Sequence, residues 1–92
     1  MIVGFRHKGL EAFYHTGSTR GIQPAHAAKL ARILAALDAA SGAQELNQPG
    51  YRFHRLKGQL KGHWSIWVNA NWRVTFRFVG TDVELVDYLD YH

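Results

Sequence analysis

Three features of the 92-residue sequence predict an α+β fold, in which an N-terminal strand and two helices pack on a mainly antiparallel sheet. Apolar residues recur at helical spacing as far as Leu37. After Gly50 they switch to a period of two, and only a few turn residues separate the later strands. Short connections force neighbouring strands to run antiparallel, so two amphipathic helices are left to cover one face of the sheet.

Ile2 to Arg6 reads as the first strand. Lys8 to His15 follows as a helix, with Leu10, Phe13 and Tyr14 on one stripe, stopped by Thr16-Gly17-Ser18. The stronger helix begins at Pro24, a residue suited to a first turn, and carries Leu30, Ile33, Leu34 and Leu37 on one face. Lys29 and Arg32 lie off that stripe and read as a solvated face. Ser41-Gly42 ends this helix, and Asn47-Gln48-Pro49-Gly50 signals a turn. Strands are then expected at Tyr51 to Leu56, His63 to Val68, Trp72 to Phe78 and Val83 to Tyr88. A basic, glycine-bounded loop, Lys57 to Gly62, joins the first two.

The chain reads as a single domain over residues 1–92, with a core that buries roughly 60–65% of the unfolded surface. Without cysteine there is neither a disulfide framework nor a thiolate metal site. No apolar run approaches the roughly 20 residues of a membrane span. The N-terminus also lacks the apolar core of a signal peptide, so a soluble, cytoplasmic protein is expected. A net charge of +4, with six histidines besides, favours a polyanionic partner such as nucleic acid.

Alternation assigns the faces. With Trp72, Val74, Phe76 and Phe78 turned to the helices, Arg73 and Arg77 turn away. Tyr51 and Phe53 go inward, so Arg52 and His54 face outward, with Lys57 and Lys61 just beyond. Trp64 shares the core side with Ile66 and Val68, whereas Trp67 and Ser65 fall opposite. The outward face then carries a proton carrier (His54), forked phosphate binders (Arg52, Arg73, Arg77) and lysines. RNA cleavage by the ribose 2′-OH requires these types: a base, an acid and cations to stabilise the charge on phosphorus. Taken singly, each has a duller role: His54 as a half-exposed strand residue, and Asp90-Tyr91-His92 as a frayed tail. A metal site built from His54, His63, Asp90 and His92 is disfavoured, because the spacing matches no familiar ligand set and nearby cations oppose it.

Several ordered segments are similar to the HigB branch of the RelE-like toxin superfamily. They are Phe5-Arg6-His7-Lys8-Gly9-Leu10, Gly21-Ile22-Gln23-Pro24-Ala25, His54-Arg55-Leu56-Lys57-Gly58, Gly62-His63-Trp64-Ser65-Ile66, the run Asn69 to Phe76, and the closing Asp90-Tyr91-His92. The resemblance implies a RelE-like two-layer fold and an endoribonuclease that cuts messenger RNA, typically on the 70S ribosome. It also implies neutralisation by an antitoxin with a helix-turn-helix domain, operator DNA being bound only through that antitoxin. Family positions fall on His54, Lys57, Arg73, Asp90, Tyr91 and His92. The histidines and Asp90 would move protons, Lys57 and Arg73 would hold phosphate, and Tyr91 would orient the substrate. Arg52, Arg55, Lys61 and Arg77 would extend the RNA contact, and no cofactor is implied. Arg55, Gln59 and Leu89 depart from the usual pattern. The rival reading is an inactive toxin-fold protein, or an RNA-binding module that acts only with its antitoxin.

Overall fold

The computed structural model describes residues 1–90. Helix α1 (Lys8–Thr16) begins where the Nδ1 of His7 accepts a hydrogen bond from the Leu10 amide at 2.9 Å. It ends on Gly17, at φ 79°, whose amide donates to the Phe13 carbonyl. Pro24–His26 forms a single 3₁₀ turn, and helix α2 proper spans Ala27–Ala39. The helix expected from Pro24 is therefore split. The reason is His26, whose Nδ1 lies 2.6 Å from the Tyr88 hydroxyl in a buried hydrogen bond. Leu30, Ile33, Leu34 and Leu37 are buried as their spacing predicts. A further 3₁₀ turn, Ala43–Leu46, delivers Leu46 to the core.

Four strands, β1 (His54–Arg55), β2 (Trp64–Asn69), β3 (Trp72–Val79) and β4 (Asp82–Asp90), pair antiparallel in sequence order. Val74, Phe76, Val83 and Val86 are fully buried in one cluster with the α2 stripe. The architecture is the predicted helix layer on an antiparallel sheet.

Two strands also differ from expectation. The first strand is not a regular one: Ile2 and Phe5 make only isolated parallel bridges to Val83 and Val86. Between those contacts β4 bulges, with Leu85 left-handed at φ 55° and the register to β3 shifted. The strand expected over Tyr51 to Leu56 shrinks to two residues, because Arg52 is left-handed (φ 46°) and the Tyr51 amide closes a turn onto Gln48. The far face also buries Leu56, His63, Ser65 and Thr75. Two register shifts, at Trp67/Asn69 and Thr75/Arg77, locally strengthen the twist of the sheet.

The N-terminal segment is also held by α2. Asp38 accepts from the Ile2 amide (2.9 Å) and from the Tyr14 hydroxyl (2.5 Å). That hydrogen bond, then burial, then the carboxylate charge raise the Tyr14 phenol above its ordinary value; burial raises Tyr88 likewise. A raised folded value means the stabilisation is complete below the unfolded phenol range, about 10. It is lost as pH climbs through the folded value. Denaturant melts at increasing alkaline pH should show that loss, and Tyr14→Phe should remove its share. An identical alkaline profile in the variant would contradict this.

Candidate active site

Register places four side chains in one row across the far face, through the pairs His54↔Ser65, Ser65↔Thr75 and Thr75↔Asp87. The next row runs from Trp67 through Arg73 to Leu89. Where the two rows meet, His54, Leu56, Ser65 and Arg73 line a cleft of about 150 Å³.

His54 is exposed, and its Nδ1 lies 3.1 Å from the Arg52 carbonyl and 3.4 Å from Ser65 Oγ. A carbonyl only accepts, so Nδ1 is the donor in that contact. Arg73 is half-buried. One terminal nitrogen donates to the Ala70 and Trp72 carbonyls (3.2 and 3.1 Å), which steadies the guanidinium fork. The cleft thus brings an imidazole and a guanidinium together.

The remaining candidates lie around this pair. Lys57 and Lys61 are exposed at either end of the Gly58–Leu60 turn. The Arg52 side chain leaves the row and stands over Trp67. Arg55 pairs with Trp64 and lies over its ring at 4.9 Å, on the pleat opposite His54. Arg77 is ion-paired with Glu84. Asp90 opposes Trp72, one pleat away from the Arg73↔Leu89 pair. Tyr91 and His92 lie outside the described residues. Sequence reasoning missed Leu56 and Ser65 as cleft walls. Their period-two spacing from His54 and Trp67 was the available signal. Among the described residues, no three His, Asp or Glu side chains gather closely enough to hold a metal, and no helix is long and apolar enough to cross a membrane.

Residues 3–92 match the family model described as the RelE-like toxin of the type II toxin-antitoxin system HigB. The chain belongs to this HigB-like toxin family. Among its HigB-like relatives, a Proteus vulgaris protein named Endoribonuclease HigB is 42% identical over 92 residues, covering the whole of both chains. The Vibrio cholerae serotype O1 protein Toxin HigB-1 is 40% identical over 94 residues, covering all of this chain and 98% of that protein. The HigB-like fold is shared with a solved YoeB/ParE toxin from Agrobacterium tumefaciens. That match has a TM-score of 0.57 at 15% identity, with 97% of this chain and 93% of the other covered.

Proposed function

We propose that this toxin is an endoribonuclease that cuts messenger RNA on the translating ribosome by attack of the RNA's own 2′-hydroxyl. The observation that carries the reading is the shared cleft of His54 and Arg73, in which His54 turns its Nδ1 to the Arg52 carbonyl. The name of the Proteus vulgaris relative, Endoribonuclease HigB, supports the same activity.

In this reading His54 Nε2 removes the 2′-hydroxyl proton as that oxygen bonds to phosphorus. The bond from phosphorus to the 5′-oxygen breaks, and an acid from the closing Asp90-Tyr91-His92 returns a proton to the leaving oxygen. Arg73, with Lys57 from the adjoining loop, neutralises the equatorial oxygens as charge builds. Because the nucleophile belongs to the substrate, neither a metal-bound water nor a covalent enzyme intermediate is required. Arg52, Lys61 and the other surface cations hold the strand. Within a type II system, a partner antitoxin with a helix-turn-helix domain restrains this activity in the cytoplasm and carries the complex to operator DNA.

The test is to add purified protein to a translating extract and analyse both ends at every new cut. The mechanism requires 2′,3′-cyclic phosphate and 5′-hydroxyl ends, in translated RNA only. Ends bearing 3′-hydroxyl and 5′-phosphate would overturn the chemistry, and equal cutting of untranslated RNA would remove the ribosome from it.

A further inference from the structure

The Trp67 indole carries two cations. Lys29 Nζ stands 4.4 Å and the Arg52 guanidinium carbon 4.1 Å from its ring centroid. They come from distant parts of the chain, α2 and the left-handed residue just before β1. Each is drawn to the negative face of the ring, but the two repel one another. Among the described residues no carboxylate is ion-paired with either; the ion pairs there join the N-terminus to Asp82 and Arg77 to Glu84. Lys29 is instead fixed by donating to the Gly50 carbonyl at 3.2 Å. Its ammonium is held below the ordinary lysine range by burial, then by Arg32 and Arg52. This is positive charge concentrated and held in place with no ion-paired carboxylate among the described residues, the condition under which an anion binds most favourably.

The patch is also tied to the cleft. Trp67 is the cross-strand partner of Arg73. Arg52 belongs to both places, its carbonyl fixing His54 Nδ1 and its side chain standing over Trp67. An anion held by Arg52 and Lys29 is therefore kept in register with the reacting group.

We propose that Lys29 and Arg52, held over Trp67, form a second phosphate subsite, which binds a backbone phosphate of single-stranded RNA next to the one in the His54–Arg73 cleft. Trp67 serves as the platform that holds the cations. The proposal rests on the reading of the cleft as an RNA-cleaving site, and it adds to that reading a contact from α2, a helix that carries none of the reacting groups.

The experiment is a fluorescence-anisotropy titration of a short 2′-O-methyl oligoribonucleotide, which cannot be cut, over a range of salt concentrations. Lys29→Gln, Arg52→Gln and the double variant are compared with the original chain, with thermal melts confirming the fold. Each single variant should bind about tenfold more weakly, and the double little more weakly than either, because the two share one phosphate. The double should also lose about 0.7 from the logarithmic salt slope, the value of one phosphate contact on a single strand. Unchanged affinity and slope in a folded double variant would overturn the subsite. If the original chain cuts RNA while the double variant binds as tightly, the subsite fails and the enzymatic reading stands. If the double binds weakly while the original chain cuts nothing, the subsite stands and the enzymatic reading fails.

Discussion

Replacing His54 with alanine is expected to lower the rate of RNA cleavage about 10²–10⁴-fold, the usual contribution of a positioned general base. The side chain is exposed at the end of a two-residue strand, so the fold should survive its removal. The loss should fall on the cleavage step, because the cations that hold phosphate remain in place. Cleavage rates at saturating RNA, with a melt to confirm folding, decide the matter. A folded alanine variant that cuts at the original rate would move the base to the closing residues and leave His54 as a wall of the cleft.

The largest effect on stability is expected at Gly9. A Cβ built there would lie 2.6 Å from the Gly21 carbonyl oxygen, and one built on Gly21 would lie 2.5 Å from Gly9 Cα. The first turn of α1 thus packs backbone to backbone against the loop that leads to Pro24. Helix propensity alone predicts that Gly9→Ala stabilises the chain by about 0.5–1 kcal/mol. The contact predicts the opposite, because the obstructing atoms are backbone and cannot swing aside. Overpacking of this kind costs about 1–3 kcal/mol. For a domain of this size each kcal/mol lowers the melting temperature by roughly 4–8 °C. Thermal or urea melts of the alanine variant measure the sign directly, and a more stable variant would show that the contact is not held in solution.

The layout of the fold was legible where a pattern repeats within one element. The α2 stripe and the alternation from Trp72 to Phe78 each report a local periodicity; the structure buries the stripe, Val74 and Phe76, and packs Trp72 and Phe78 half-buried against them. What escaped depends on pairs far apart in the chain. His26 and Tyr88 stand 62 residues apart, and nothing near Pro24 signals that a buried hydroxyl reshapes the start of α2. Left-handed backbone at Arg52 and Leu85 is equally hidden, since neither side chain favours it; it shortened β1 and broke the N-terminal pairing. For the site, strand parity alone put His54 and Arg73 on a common face, and they share the cleft. Parity does not reach Asp90 without the register, and the register sets it opposite Trp72. The two cations over Trp67 were legible only as charges, because one of them approaches from a helix.

The parallel pairing of the N-terminal segment with β4 governs when the protein can assemble. Val3 and Arg6 donate to the Val83 and Val86 carbonyls, so residues at the start of the chain find their partners only after both hairpins have been made. Val83, Val86 and Tyr88 are themselves core, and α2 cannot bury its stripe fully until they arrive. Contacts at such separation form late. Until Val83 and Val86 are in place, His54 and Arg73 therefore stand on an incomplete sheet, with neither the N-terminal segment nor the α2 stripe docked.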